Sequence, residues 1–119
     1  MTTESMPRLI THVLDTASGK PASGVRVVLR RLGETAVVAE AKTNADGRVD
    51  KPLLDGAAFA PGTYEIAFHV GDYFRAQGAA TADPAFLDVI PVRFTAAAGR
   101  DYHVPLLISP YGYSTYRGS

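Results

Sequence analysis

Short apolar runs that alternate residue by residue recur along the whole chain, and this pattern most limits the fold. In the longer runs apolar side chains alternate along one face, and turn-forming residues separate the runs about every ten residues. Because residues i and i+2 share one face of a strand, the pattern predicts half-buried strands in a β-sandwich. The predicted strands are residues 8–15, 25–32, 36–43, 48–50, 63–69, 87–95 and 102–108, with a short final strand after a tight turn at 109–112.

The predicted turn, helix and loops have local signals of their own. The Asn44-Ala45-Asp46-Gly47 segment predicts a tight turn, because an Asp-Gly pair suits positive φ angles. Residues 71–78 predict one short helix, since Asp72 in the first turn complements the helix dipole and Gly78 can end the helix. Residues 15–24 and 51–62 contain glycine and proline breakers and predict loops.

Size and charge restrict the domain count and the classes of partner. A chain of 119 residues has the size of one domain, so we expect a flexible N-terminus over residues 1–7 and a single domain over 8–119. Twelve basic residues balance twelve acidic ones with no long run of either sign, which argues against binding to nucleic acid or an anionic membrane. The sequence shows neither a secretory signal nor an apolar stretch of about 18 residues, so we expect a soluble cytoplasmic protein.

Two histidines interrupt apolar strand faces. His12 lies on an apolar face of the first predicted strand, and His103 lies on an apolar face of the penultimate one. Each alone is typical of a structural histidine, but together they indicate one shared polar spot. Arg48 follows the predicted turn and is either a solvated turn residue or a planar donor for a carbonyl or an anionic heterocycle. Arg117 has the same two interpretations.

Other kinds of site have little support in the sequence. There is no cysteine, which excludes a disulfide framework and a thiolate zinc site, and no His-x-His or His-x-x-x-His spacing that favours a metal. No glycine-rich phosphate loop or nucleophile elbow is present. The residues alone therefore predict a small β-sandwich with a polar His/His/Arg site, which could lie at an interface, and with no metal or cofactor.

Several stretches, among them residues 9–16, residues 43–48 and residues 102–119, resemble 5-hydroxyisourate hydrolase, the transthyretin-related enzyme family of urate breakdown. The closing Tyr116-Arg117-Gly118-Ser119 is the most specific of them, because it separates this enzyme from the transthyretin hormone carriers. The resemblance extends from about residue 8 to the end. Besides the closing tetrapeptide, the similar stretches are residues 9–16 continuing to 19–22, residues 43–48, residues 68–74 and residues 102–115.

The resemblance implies a transthyretin-like (prealbumin-like) sandwich of two four-stranded sheets with one short helix. It also implies a homotetramer, a dimer of dimers with active sites at the interface around a central channel. The apolar faces that carry His12 and His103 would then line the channel, because an apolar outer face would otherwise favour aggregation.

The implied reaction is the hydrolysis of 5-hydroxyisourate to 2-oxo-4-hydroxy-4-carboxy-5-ureidoimidazoline. His12, Arg48 and His103 would be catalytic, with one histidine activating water and the other holding or protonating the substrate. Which histidine does which is left open by the sequence. The implied substrate-binding residues are Ser114, Tyr116, Arg117 and Ser119.

Two other functions are compatible with the same fold. The first is a transthyretin-like carrier that binds a small ligand without catalysis, although polar histidines argue against a purely apolar ligand. The second is an interaction module whose apolar outer faces serve only assembly.

Overall fold

The computed structural model describes residues 7–78 and 83–118 of the chain. Residues 1–6 of the expected flexible N-terminus lie outside the described residues, as does Ser119. The division into an N-terminal segment and a single domain over 8–119 stays a prediction.

Two β-sheets and one short helix make up the described part of the chain. The helix α1 (Val70–Ala76) follows a strand without a loop, and a single 3-10 turn forms at Gly56–Ala58. Neither is long and apolar enough to cross a membrane. The strands are β1 (Arg8–Asp15), β2 (Lys20–Pro21), β3 (Arg26–Arg31), β4 (Ala39–Lys42), β5 (Leu54–Asp55), β6 (Gly62–His69), β7 (Val89–Ala96), β8 (Tyr102–Ser109) and β9 (Gly112–Thr115).

The strand order places the two ends of the chain side by side. The first sheet has the order β2-β1-β8-β9, with β5 also paired to β1, and the second has the order β4-β3-β6-β7. All pairs are antiparallel except β1 and β8, which run parallel. A parallel pair needs a long crossover, and here that crossover contains the whole second sheet.

The predicted fold class is confirmed, with one correction to the strand count. The first sheet has five strands rather than four, because the two-residue β5 pairs with the start of β1. The segments predicted as loops contain β2 and β5, which are too short to show an alternating pattern. Residues 48–50, predicted as a strand, form only an isolated bridge at Arg48.

Alternation in β1 separates the core of the sandwich from an outward face of the first sheet. Leu9, Thr11 and Val13 are buried between the sheets, whereas the residues between them are partly exposed. The core combines apolar side chains from both sheets and the helix. The outward face of the first sheet consists of Ile10, His12 and Leu14 of β1 and of His103, Pro105 and Leu107 of β8.

A buried carboxylate joins the end of β1 to the helix. Asp15 is 3% exposed, and its Oδ2 accepts a hydrogen bond of 2.8 Å from the Tyr73 hydroxyl. Its Oδ1 accepts hydrogen bonds from the backbone N–H groups of Ala17 and Ser18. Burial, with help from the Asp15 carboxylate, raises the pKa of Tyr73 above its ordinary value, so the phenol stays a donor at working pH.

Removing the Tyr73 hydroxyl should destabilise the fold. Tyr73→Phe keeps the ring but leaves a buried carboxylate oxygen without its donor, which should lower the free energy of unfolding by about 1.5–3 kcal/mol. Urea unfolding at matched protein concentration measures this effect. Tyr113→Phe is the control, since Tyr113 is 48% exposed and should change stability by less than about 0.5 kcal/mol. Equal stability of the two variants would contradict the assignment.

Candidate active site

The parallel pairing of β1 with β8 brings the two candidate histidines onto one surface. His12 lies opposite Pro105, and His103 lies opposite Ile10. Both histidines are on the outward face and half-buried. They are diagonal neighbours, and the strand spacing and the rise per residue separate their Cα atoms by about 8 Å. Two residues 91 positions apart in the sequence therefore share one site.

The turn before Arg48 places that residue beside His12. Gly47 accepts a backbone hydrogen bond of 2.8 Å from Val13, and Arg48 forms an antiparallel bridge with His12. Residues that face each other in such a bridge point to the same side, so Arg48 joins the histidines on the outward face. Gly47 has φ +74°, and an added Cβ would overlap the carbonyl oxygen of Val13, so only glycine allows this close approach.

Asn44 stabilises the turn that carries Arg48. Its Oδ1 accepts hydrogen bonds from the backbone N–H groups of Asp46 (2.9 Å) and Arg48 (3.2 Å). Its own N–H donates to the carbonyl oxygen of Arg48 at 2.7 Å. The predictions did not include Asn44 as a site residue. The preference of asparagine for hydrogen-bonding its own backbone at the start of a turn was the available signal.

The surroundings of His103 favour its neutral form. Burial lowers the pKa of His103 below its ordinary value, and electrostatic repulsion from Arg48 and His12 lowers it further. The Nε2 atom is buried and has no hydrogen-bond partner among residues 7–78 and 83–118. A neutral imidazole with a free ring nitrogen can accept or donate a proton when a substrate supplies the partner.

The residues after β9 run back along β8 towards His103. Gly118 donates a backbone hydrogen bond of 2.8 Å to the carbonyl oxygen of His103 and continues the register of the β8–β9 pair. In the same register, Tyr116 lies beside Pro105. Arg48, His12, Pro105 and Tyr116 thus occupy successive positions in one row across the first sheet.

Of the other predicted site residues, Ser114 and Tyr116 lie on the outward face, whereas Arg117 lies at the edge of the sandwich. Ser114 pairs with Leu107 and shares the outward face, two strands away from His12. Tyr116 is 59% exposed. The Arg117 guanidinium lies 5.3 Å from the centre of the Tyr102 ring, at the edge of the sandwich, so it is not beside the histidines of its own chain. Ser119 lies outside the described residues.

Two cavities on the described surface lie away from the histidines. One cavity of about 220 Å³ lies between β7 and the C-terminal residues, and it includes Tyr102 and Arg117. Another, of about 420 Å³, lies between β4 and residues 50–53. Neither contains His12, Arg48 or His103. No group of three His, Asp or Glu side chains in the described ranges could hold a metal ion.

Comparisons with known proteins agree with this fold. Residues 9–118 match the HIUase/Transthyretin family. The chain is 60% identical over 115 residues to 5-hydroxyisourate hydrolase 2 of Rhizobium meliloti, an alignment that covers 94% of this chain and 96% of that protein. The structure of Klebsiella pneumoniae 5-hydroxyisourate hydrolase superposes with a TM-score of 0.80 at 36% identity, over 96% of this chain and 100% of the other. Transthyretin from Sparus aurata superposes with a TM-score of 0.83 at 28% identity, over 94% of this chain and 97% of the other.

Proposed function

The chain belongs to the HIUase/Transthyretin family, and on that basis we propose that it is an enzyme that hydrolyses 5-hydroxyisourate to 2-oxo-4-hydroxy-4-carboxy-5-ureidoimidazoline. The observation that carries the proposal is the convergence of His12, Arg48 and His103 from three separate segments. The other outward-facing residues of β1 and β8 near these groups, Ile10, Leu14, Pro105 and Leu107, are apolar. The high identity to relatives named as 5-hydroxyisourate hydrolases extends over nearly the whole chain.

The reaction sets three chemical requirements for the site. Water adds to a ring carbonyl of the substrate, a C–N bond of the six-membered ring breaks, and a carboxylate and a ureido group form. A base must remove a proton from water, donors must stabilise the oxyanion that develops on the carbonyl, and the leaving nitrogen must receive a proton. Two histidines and one arginine can meet these requirements without a cofactor.

We assign the base to His103 in this proposal. Its lowered pKa keeps the imidazole neutral at neutral pH, and its Nε2 has no hydrogen-bond partner among the described groups. His12 is the diagonal neighbour and can hold the substrate or protonate the leaving nitrogen. An imidazole can do either, because its ordinary pKa lies near the operating pH.

Arg48 is the proposed donor to the substrate carbonyls. A guanidinium presents several N–H donors in one plane, which suits two neighbouring carbonyl oxygens of a planar heterocycle. The bridge to His12 and the hydrogen bonds to Asn44 hold the backbone of Arg48 in place. Such preorganisation lets the donors stabilise the developing charge without first rearranging.

Substrate contacts by four further residues remain predictions. Ser114 and Tyr116 have positions in the first sheet from which they could line the site. The Arg117 guanidinium lies over the Tyr102 ring, which favours a role at the edge of the sandwich. A direct contact between Arg117 and the substrate would therefore require another copy of the chain. The role of Ser119 is proposed from the family resemblance alone.

The proposed assembly is a homotetramer, a dimer of dimers in which the outward face meets another copy. Ile10, Leu14 and Leu107 give this face an apolar surface on a single chain. A facing copy would cover these side chains and enclose the histidines, and exclusion of water would strengthen the electrostatic contacts with the substrate. A cytoplasmic location stays a prediction from the sequence.

A direct assay tests the proposed function. Freshly generated 5-hydroxyisourate is mixed with the protein, and the decay of its ultraviolet absorbance is compared with spontaneous decay. We expect decay much faster than the spontaneous rate. Decay at the spontaneous rate would favour the transthyretin-like carrier, which the structural likeness to transthyretin leaves as the second candidate.

The pH dependence tests the role of His103 as the base. The base is active when neutral, so activity should be full above its pKa and fall as the pH drops through it. Because the pKa of His103 is lowered from 6.5, the midpoint of the acid limb of kcat/KM should lie below 6.5. Rates measured between about pH 5 and 8, corrected for spontaneous decay, give this midpoint. Arg48→Gln removes one positive charge and should move the midpoint upwards, and a wild-type midpoint above 6.5 would contradict the assignment.

A further inference from the structure

The backbone of Gly118 lies directly against the ring of His103. A Cβ added at Gly118 would overlap Nδ1 of the imidazole and would lie 2.8 Å from its Cγ and 3.1 Å from its Cβ. These distances are below the normal contact of non-bonded heavy atoms. Any side chain at position 118 would therefore displace either the imidazole or the C-terminal segment.

The need for glycine at this position comes from space and not from backbone conformation. Gly118 is absent from the described glycines with positive φ, so its backbone is one that other residues can adopt. Gly112, in the same hairpin, provides a contrast. A Cβ there would lie 3.6 Å from the Ser109 Oγ, which is an ordinary contact.

Two contacts fix the C-terminal segment over His103. The hydrogen bond from the Gly118 N–H to the carbonyl oxygen of His103 sets the position of the segment along β8. Three residues before Gly118, the Thr115 hydroxyl donates a hydrogen bond of 2.7 Å to the carbonyl oxygen of Pro105. The backbone of Gly118 is thus held against the Nδ1 side of the ring, while Nε2 is left without a partner among the described residues.

We infer that Gly118 is a positioning residue for His103: its missing side chain lets the C-terminal backbone pack on the imidazole and fix the orientation of the ring. The inference rests on the proposed function, in which His103 takes a proton from water. Rotation of the ring would move Nε2 away from the position that the substrate requires. The segment therefore acts on catalysis through His103 and without a contact of Gly118 with the substrate.

The test compares Gly118→Ala with Gly112→Ala. Gly118→Ala should lower kcat about 100-fold with a smaller change in KM, because displacement of a catalytic group by about 1 Å costs this much. Gly112→Ala should retain near wild-type kinetics. The second readout is the NMR titration of the His103 imidazole, assigned with a His103→Gln spectrum. In Gly118→Ala the titration midpoint should move up towards 6.5, because the displaced ring loses burial.

A measurement on the unmodified protein keeps the inference testable if Gly118→Ala does not fold. We expect a nuclear Overhauser effect between the Gly118 Hα protons and the His103 ring, and its absence would overturn the inference. Wild-type kinetics and an unchanged His103 titration in Gly118→Ala would overturn it as well. A wild-type protein that does not hydrolyse 5-hydroxyisourate would instead refute the proposed function, while the nuclear Overhauser effect and the titration would still report on the contact.

Discussion

Replacing Arg48 with methionine should lower kcat/KM for 5-hydroxyisourate by about a hundredfold or more. The substitution keeps much of the unbranched stem and removes the N–H donors that we assign to the substrate carbonyls. Loss of one donor to a developing oxyanion costs about 3–4 kcal/mol of transition-state stabilisation. Initial rates of ultraviolet decay, corrected for the spontaneous reaction, measure the effect.

Two control variants separate the donor role of Arg48 from its charge and from general effects. Arg48→Lys keeps the positive charge but loses the planar fork, so it should recover only part of the activity. Arg26→Met removes an exposed arginine on the second sheet, where it pairs with Glu40, and should leave activity within about twofold. Near-normal turnover by Arg48→Met would remove Arg48 from the catalytic site.

Replacing Gly47 with alanine should have the largest combined effect on stability and activity. The new methyl group would overlap the carbonyl oxygen of Val13, which belongs to the central β1 strand and is already hydrogen-bonded to Ala22. The backbone at position 47 also has φ +74°, a conformation that costs an alanine about 1–2 kcal/mol. With overpacking of about 1–3 kcal/mol added, the free energy of unfolding should fall by roughly 2–5 kcal/mol.

Gly19 provides a matched control for this substitution. It has the same φ of +74°, but an added Cβ would meet nothing within 4 Å. Gly19→Ala should therefore show only the conformational cost and keep full activity. Gly47→Ala should also lose activity, because the turn must move away from β1 and carry Arg48 away from His12. Urea unfolding at matched concentration and the decay assay measure both effects, and equal results for the two variants would contradict the close approach at Gly47.

Alternating hydrophobicity predicted the long strands well and the short ones poorly. The observed bounds of β1 match the prediction at residues 8–15, and β8 extends the predicted 102–108 by one residue. Strands β2 and β5 contain two residues each, so they carry no periodic signal, and they form because the edge of β1 offers unpaired backbone groups. Residues 48–50 showed the opposite error, since only Arg48 pairs with β1.

The sequence indicated some residues of the candidate site and missed others. The physical reason for each success or failure differs from residue to residue. His12 and His103 stood out because each interrupts an apolar face, which is a local property of a strand. Arg117 stood out by its place in the sequence, but alternation along the C-terminal segment directs it to the edge near Tyr102. Gly118 gave no local signal, because the need for a glycine there arises from the imidazole of a residue on another strand.

The sequence by itself determined the β-class of the fold, the face of the strand on which each histidine lies, and the turn that precedes Arg48. These are local properties, because side-chain direction alternates along a strand and an Asp-Gly pair favours positive φ. Only the tertiary structure decided that β1 and β8 are parallel neighbours, that Arg48 pairs with His12, and that Gly118 packs on His103. These contacts join residues far apart in the chain, and they depend on how the strands share hydrogen bonds and bury one common core.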